Sequence, residues 1–382
     1  MRILHVASFV GNIGDNASHL GLSTILNEYF SYIEVEQLEI RKFYKNYNNS
    51  DKQRFDLSFI NYANKFDLLI IGGGGFLDYW VEGSATGTTI DMNPDLVSRI
   101  TVPTIISSVG CVPHKTIPSG NIEKFRHFLD CVLTNSKIRI LFRNDGSVLS
   151  LKNEIGAHYL ESISEVLDNG FFFNTEETNP LPIDPGYIAI NITNDQLEMN
   201  SQSRGCINKQ EYLRALAKVV TYITDSLNMK VVFIPHIYTD LMAISEVLTL
   251  IDDFIIRRSI LVAPYIQYDV GAKALFSIYK HSRLVIGSRF HANVCALAMG
   301  VPTVGVAALN RVKYLYDQLD IMDNYVFPDT DFSDELIMKV TSSLKNHEAI
   351  SHYLQHELNI RRASSKANYF DTFNRFGFKT NA

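Results

Sequence analysis

Short apolar runs, each followed by a glycine-containing turn and then a helical pattern, recur along the whole chain of 382 residues. These runs cover residues 3–9, 67–71, 104–109 and 138–143, and then 187–192, 231–235, 260–263, 283–286 and 303–307. Repeated strand–helix units of this kind form parallel sheets covered by helices. The pattern therefore predicts an α/β protein.

The stretch 174–186, NTEETNPLPIDPG, interrupts this pattern with proline, asparagine and acidic residues, as a linker would. It predicts an N-terminal domain over 1–178 and a second, similar domain over 187–332. Residues 333–382 form a helical segment. One interpretation has this segment cross back to the first domain, and the other has it pack on the second domain alone.

Composition excludes several classes of partner. The net charge is −6 and no block of lysine and arginine stands out, which disfavours nucleic acid. The four cysteines are far apart and form no CxxC motif, so neither a disulfide framework nor a structural zinc site is expected, and the cytoplasm is the simpler compartment. No apolar run approaches the roughly 20 residues that span a bilayer. Membrane contact is expected to be peripheral at most, at the inner face of the membrane.

Ligands of open α/β sheets bind at the carboxyl ends of strands, so polar residues that directly follow predicted strands are candidate site residues. The first set lies in FVGNIGDNA, residues 9–17, where Gly14, Asp15 and Asn16 open a helix. Asp15 in this position is expected to cap the helix. A carboxylate there also competes with phosphate for the positive helix end, so the alternative is contact with a hydroxyl-bearing ligand.

Three further strand ends carry candidates. Gly73 and Gly74 belong to a run of four glycines that allows close approach of either a ligand or a neighbouring helix, and the run lacks the spacing of a dinucleotide site or a P-loop. Arg143 ends a strand, which makes it a candidate ligand-binding residue; the alternative is that it is an ordinary solvated surface charge. His236 follows a strand and Pro235, and the alternative is a histidine satisfied within its loop. His236 and Asp240, four residues later, would provide only two metal ligands, which is too few for a zinc site.

The most specific stretch is LVIGSRFHANVCALAMGVP, residues 284–302, in which Ser288, Arg289 and His291 lie between a strand and a helix predicted over 292–299. In extended backbone Arg289 and His291 would project to the same side. A guanidinium, an imidazole and a helix N-terminus together predict an anion site that contains a proton donor. The alternative is that Arg289 pairs with a carboxylate and His291 caps the helix.

In this order along the chain, GNIGDNA, IIGGGG, FRNDGS, FIPH followed by Asp240, and GSRFHANVCALAMGVPTVGV resemble the polysaccharide pyruvyl transferase family. The resemblance covers most of residues 1–313. It implies two Rossmann-like domains facing across a cleft (GT-B type). It also implies transfer of pyruvate from phosphoenolpyruvate onto two hydroxyls of a sugar, with no metal and no redox cofactor. The chain departs from the pattern at LDNGFFF, where Asp168 is only a partial match, and residues 191–210 carry no motif.

On this resemblance, Arg289 with the N-terminus of its helix is expected to bind one anion of phosphoenolpyruvate and Arg143 the other. His291 is the expected general acid, and Asp15, apart from the phosphate pocket, the expected base, with His236 in reserve for either role. The acceptor would be a glycan or a lipid-linked saccharide.

Two other functions stay open. One is a glycosyltransferase that uses a nucleotide sugar on the same architecture, since Arg289 and a helix N-terminus also suit a diphosphate. The other is a non-catalytic module that binds a carbohydrate or an anion.

Overall fold

The computed structural model describes residues 1–175, 181, 183, 186–200, 208–329 and 331–380. The chain divides into two compact units. Unit 1 comprises Met1–Phe9, Gly21–Asn169 and Arg361–Ala382, and unit 2 comprises Val10–Leu20 and Gly170–Ile360. Most of the predicted linker at 174–186 lies outside the described residues.

Unit 1 contains, within the described residues, a six-stranded parallel sheet in the order β2-β1-β3-β4-β5-β6. Its strands are β1 Arg2–Ala7, β2 Glu34–Glu39, β3 Leu68–Gly72, β4 Thr104–Val109, β5 Ile138–Arg143 and β6 Ser164–Val166. Every side chain of β3 and β4 is buried, as expected of central strands covered by helices on both faces.

Unit 2 repeats this arrangement with the order β12-β11-β10-β7-β8-β9, again counted over the described ranges. Its strands are β7 Tyr187–Asn191, β8 Lys230–Phe233, β9 Ile260–Val262, β10 Leu284–Gly287, β11 Thr303–Val306 and β12 Tyr325–Val326. Each of the nine strands predicted from apolar runs is present, displaced by at most two residues at either end.

The three strands that the apolar runs did not predict, β2, β6 and β12, all lie at sheet edges. The sequence of β2, EVEQLE, is dominated by glutamate and glutamine, and most of its side chains are exposed. An edge strand has one neighbour and often carries charge, so it lacks the continuous apolar run that marks a buried strand.

Helices connect the strands in both units. They are α1 Ile13–Tyr29, α2 Leu57–Ala63, α3 Asn121–Thr134, α4 Ser147–Ser150, α5 Asp195–Asn200, α6 Lys209–Asp225, α7 Tyr238–Leu248, α8 Asp253–Ser259, α9 Tyr268–Lys280, α10 Phe290–Ala298, α11 Asn310–Gln318, α12 Ser333–Lys345 and α13 His347–Arg375. Shorter 3-10 segments cover Ile40–Phe43, Pro94–Arg99, Ala157–Glu161, Asn169–Phe172 and Met322–Asn324, and a π-helical turn covers Leu151–Gly156. Helix α13 contributes Arg361 onward to unit 1 and its preceding part to unit 2.

The start of α1 belongs to the hydrophobic core of unit 2. Ile13 and Ala17 are fully buried and pack in one cluster with Ala292 and Cys295 of α10. This packing brings the first turn of α1 to the start of α10, although the two segments are almost 280 residues apart in the chain. It therefore decides which side chains meet there.

Candidate functional site

Three neighbouring strands of unit 2 place polar residues at one edge of the sheet. β7 lies between β10 and β8 and all three are parallel, so their carboxyl ends coincide. Asn191 ends β7, His236 follows β8, and Ser288 and Arg289 follow β10. Asn191 joins the loops, because its Oδ1 accepts from the Arg289 amide at 2.9 Å and its carbonyl accepts from the Ser288 amide at 3.1 Å.

Helix α10 begins at Phe290 rather than at the predicted residue 292. Arg289 is the N-cap residue with extended backbone (φ −79°, ψ 146°), and His291 is already inside the helix. Successive helical residues are rotated by about 100°, so the two side chains do not share one side as expected for extended backbone. Each instead meets a different carboxylate.

The carboxylate of Asp240 holds the Arg289 guanidinium. Nε of Arg289 donates to Asp240 Oδ2 at 2.9 Å, and Nη2 donates to Asp240 Oδ1 at 2.6 Å and to Asp195 Oδ1 at 2.8 Å. Burial acts to lower the pKa of Arg289, but Asp240 and then Asp195 outweigh it, so the pKa lies above its ordinary value. The alternative considered for Arg289, pairing with a carboxylate, is the arrangement that the structure shows.

Asp240 and Asp195 differ in how they hold Arg289. The side chain of Asp240 is fully buried, whereas that of Asp195 is 34% exposed. The Nη1 atom of Arg289 has no hydrogen-bond partner among the described residues. An anion can therefore bind through Nη1, or through Nη2 if it displaces the more exposed Asp195.

The imidazole of His291 lies beside Asp15, with Nδ1 at 3.9 Å from Asp15 Oδ1. Asp15 does not cap α1 as expected from its position. It is the third residue of the helix, and the Asn12 side chain accepts from the Gly14 amide at 3.0 Å instead. Asp15 was expected to lie apart from the phosphate pocket, but it belongs to unit 2 together with Arg289 and His291.

Gly14 is the point at which α1 touches His291. A Cβ at Gly14 would lie 2.5 Å from the Cβ of His291 and 2.7 Å from its Nδ1. Real Cβ atoms essentially never make contacts this short. A hydrogen atom at position 14 is therefore what allows the imidazole to occupy its place.

His236 is fully buried under the same edge of the sheet. Its Nε2 lies 2.9 Å from the Tyr279 hydroxyl, and its amide donates to Asp240 Oδ2 at 2.9 Å. Burial, then Arg289 and His291, lower the pKa of His236 well below its ordinary value. Asp240 thus accepts hydrogen bonds from both the Arg289 side chain and the His236 amide. Among the described residues, no group of three or more His, Cys, Asp or Glu side chains is placed to hold a metal ion.

Two other predicted residues of unit 2 are engaged within the protein. The Ser288 side chain is fully buried, with its hydroxyl 3.1 Å from that of Tyr212. Asn16 is buried and its Nδ2 donates to Asp269 Oδ1 at 3.1 Å. Both side chains are therefore held by hydrogen bonds within the protein.

Arg143 in unit 1 is buried, with 1% of its side chain exposed. Its Nε donates to Asp145 Oδ2 at 2.7 Å and its Nη1 to Asp168 Oδ2 at 3.3 Å. Burial acts to lower the pKa of Arg143, but Asp145 and then Asp168 raise it above its ordinary value. The structure shows a buried ion pair with two carboxylates where the sequence predicted an anion-binding or solvated arginine.

The glycine run of unit 1 packs tightly against its own neighbours. The Gly73 amide donates to the Ser107 carbonyl at 3.0 Å, and a Cβ at Gly72 would lie 1.9 Å from that carbonyl oxygen. A Cβ at Gly74 would lie 2.7 Å from the ring of Phe76. The alternative of close backbone packing accounts for these glycines.

Sequence reasoning missed three residues of the unit 2 site, Asn191, Asp195 and Tyr279. Residues 191–210 were expected to carry no motif, yet Asn191 and Asp195 both bond Arg289. Asn191 ends a predicted strand, so the same strand-end rule could have found it. Tyr279 lies inside a helix and gave no signal of this kind.

A model of the family described as polysaccharide pyruvyl transferase matches residues 12–310 of the chain. The match covers more than half of the chain and includes every residue of the unit 2 site named above. No curated protein matches the chain.

Solved structures of low sequence identity share the fold. They include UDP-GlcNAc 2-epimerase from Neisseria meningitidis bound to UDP-GlcNAc (9% identity, 98% of this chain and 100% of that chain, TM-score 0.56). A glycosyltransferase from Rickettsia africae (10%, 98% and 98%, 0.56) and Anabaena HepE in complex with UDP-glucose (10%, 98% and 99%, 0.54) are also similar. With the two parallel sheets, this likeness confirms the expected fold class of two Rossmann-like domains of the GT-B type.

None of the helices in the described ranges combines the length and the apolar character that crossing a membrane requires.

Proposed function

Because the chain belongs to the polysaccharide pyruvyl transferase family, we propose that it transfers pyruvate from phosphoenolpyruvate to two hydroxyls of one sugar, forming a cyclic ketal and releasing phosphate. The acceptor is a glycan or a lipid-linked precursor of one. The observation that carries the proposal is the position of the His291 imidazole, 3.9 Å from Asp15, two residues along the chain from Arg289 in unit 2.

The reaction needs one proton donor and one proton acceptor. A proton adds to the methylene carbon of phosphoenolpyruvate, and a sugar hydroxyl forms a bond to the adjacent carbon. The second hydroxyl then forms its bond to the same carbon as the carbon–oxygen bond to phosphate breaks. Of the two hydroxyl protons, one balances the proton placed on the methylene carbon and the other leaves with phosphate, so no electrons are exchanged with a redox cofactor.

His291 is the proton donor in this assignment and Asp15 is the acceptor. Once His291 has given its proton to the methylene carbon, Asp15 can take the hydroxyl proton, directly or through the imidazole. The two groups thus act as a couple in one unit.

Arg289 holds an anionic group of phosphoenolpyruvate through Nη1, with the positive end of α10 beside it. Asp195 is the carboxylate that the substrate would displace, because it is partly exposed while Asp240 is not. Arg143 is left out of this assignment, since its guanidinium is buried against Asp145 and Asp168.

The test is release of phosphate from phosphoenolpyruvate in the presence of a panel of glycans and methyl glycosides. His291→Ala should abolish turnover while sparing phosphoenolpyruvate binding more than Arg289→Ala does. His352→Ala and Arg257→Ala, which remove an exposed histidine and an exposed arginine, are the matched controls.

Two outcomes would contradict the proposal. Turnover by His291→Ala at the wild-type rate would remove the assigned acid. Thermal stabilisation by nucleotide sugars and not by phosphoenolpyruvate would instead favour a glycosyltransferase.

A further inference from the structure

His236 and Tyr279 form a buried pair whose hydrogen atoms can be assigned from their contacts. Both residues are fully buried. The Tyr279 hydroxyl contacts His236 Nε2 at 2.9 Å, and no other partner of that hydroxyl is present in the described residues. His236 Nδ1 is also buried and has no hydrogen-bond partner in the same part of the chain.

The hydroxyl of Tyr279 must donate to Nε2. If Nε2 carried the proton and donated to the tyrosine oxygen, both the hydroxyl hydrogen and the Nδ1 lone pair would be buried without a partner, whereas the opposite assignment leaves only the Nδ1–H group to be satisfied. Burial keeps both groups neutral, because it raises the pKa of Tyr279 well above its ordinary value and lowers that of His236 well below its own. A neutral imidazole that accepts at Nε2 carries its hydrogen on Nδ1.

The Nδ1–H group is therefore a buried donor without a partner among the described residues, and the backbone of His236 connects the two sides of the site. Asp240 Oδ2 accepts both from the His236 amide and from Arg289 Nε. The His236 carbonyl accepts from the Ile13 amide at 3.4 Å, one residue before Gly14. His236 thus lies between the Arg289 side of the site and the α1 turn that carries Asp15.

We propose that Tyr279 is a positioning residue that holds His236 in the Nδ1–H tautomer, and that this N–H donates to an anionic oxygen of the substrate bound at Arg289. The inference rests on the proposed function for the identity of that substrate, phosphoenolpyruvate. A neutral donor suits this place, because it adds a hydrogen bond to the anion without another buried charge beside Arg289.

The first experiment reads the tautomer directly by NMR of protein labelled with ¹⁵N-histidine, with the His236 signals assigned from His236→Asn. Wild-type protein should show a protonated Nδ1 and an unprotonated Nε2, and the Nδ1–H signal should shift when phosphoenolpyruvate is added. Tyr279→Phe removes the hydroxyl that selects this form, so the two tautomers should mix.

The second experiment measures the Kd for phosphoenolpyruvate. Tyr279→Phe should raise it by the inverse of the fraction of His236 that stays in the Nδ1–H form, about twofold for equal populations of the two tautomers. Tyr187→Phe is the matched control, because it also removes a buried hydroxyl bond, to the Ile278 carbonyl at 2.7 Å, but leaves His236 untouched. His236→Asn, whose amide can donate from nearly the place of Nδ1, should bind better than His236→Leu.

A protonated Nε2 in the wild-type protein overturns the inference, as does an unchanged Kd in Tyr279→Phe. Failure of the proposed function gives a different result. The wild-type tautomer would be as inferred, and the Nδ1–H signal would respond to inorganic phosphate or a nucleotide sugar but not to phosphoenolpyruvate, which supports the donor role with another anion.

Discussion

Replacement of Gly14 by alanine tests whether the contact between α1 and His291 governs catalysis. Gly14 lies in the first turn of α1 and its φ is not in the left-handed region, so alanine suits its backbone. In a helix, alanine is more favourable than glycine by about 1 kcal/mol. Any loss must therefore come from the collision with His291.

The collision can be sized from the distances. The added Cβ would lie 2.5, 2.7 and 2.8 Å from Cβ, Nδ1 and Cγ of His291. Carbon atoms in contact are about 3.5 Å or more apart, so the two segments must separate by roughly 1 Å. Because one of the atoms is the Cβ of His291, rotation of the imidazole does not relieve the contact. Overpacking of this kind costs about 1–3 kcal/mol, which the gain in helix propensity partly offsets.

We expect Gly14→Ala to fold with its free energy of unfolding reduced by about 0–2 kcal/mol. Its kcat should fall about 100-fold, because a shift of about 1 Å in a catalytic group has consequences of that size. The assay is phosphate release from phosphoenolpyruvate with an acceptor identified in the glycan panel, alongside urea unfolding. Ser23→Ala, a small substitution on the same helix, serves as control.

A double variant isolates the cause. Once His291→Ala has removed the imidazole, Gly14→Ala should have little further effect on turnover, since the two changes act on the same group. A Gly14→Ala enzyme with wild-type kcat and increased stability would refute the reasoning, because α1 would then not constrain His291.

Three further outcomes follow from the charges around Arg289. Asp240→Asn should lower the free energy of unfolding by about 3–5 kcal/mol, because it removes the buried partner of a buried charge. Asp195→Asn should lower it by less than about 1 kcal/mol, because Asp195 is partly exposed. Urea unfolding of both variants measures the difference. Asp195→Asn should also lower the KM for phosphoenolpyruvate, and a raised KM would mean that the substrate does not displace Asp195. The depressed pKa of His236 means that the unfolded chain takes up a proton that the folded chain does not. Below about pH 6.5, the wild-type free energy of unfolding should therefore decrease with falling pH more steeply than that of His236→Gln, by up to ~1.4 kcal/mol per pH unit. Equal slopes for the two proteins would show that His236 is protonated when folded.

The central strands were predictable because a strand that is buried on both faces consists almost entirely of apolar residues. Central strands of a parallel sheet are covered on both faces, so runs such as LLIIG and the apolar stretch before Ser288 are continuous. The edge strand EVEQLE was not predictable in this way, since its side chains face solvent and its pairing with β1 uses backbone groups.

The position of the candidate residues followed from the same logic, but their partners did not. His236, Ser288 and Arg289 were expected at strand ends and lie there, because parallel strands end at one edge of the sheet. That Asp240, 49 residues earlier, holds Arg289 depends on the order of β7, β8 and β10 in the sheet, which no local pattern encodes.

The sequence by itself determined the two α/β halves and the kinds of side chain at the strand ends, because these depend on local apolar periodicity and turn chemistry. Only the tertiary structure decided which charged side chains contact one another. Packing of Ile13 and Ala17 against α10 places Asp15 beside His291, and a helix start at Phe290 turns Arg289 toward Asp240. Such pairings are set by the close packing of distant segments, where a displacement of about one residue changes which groups meet.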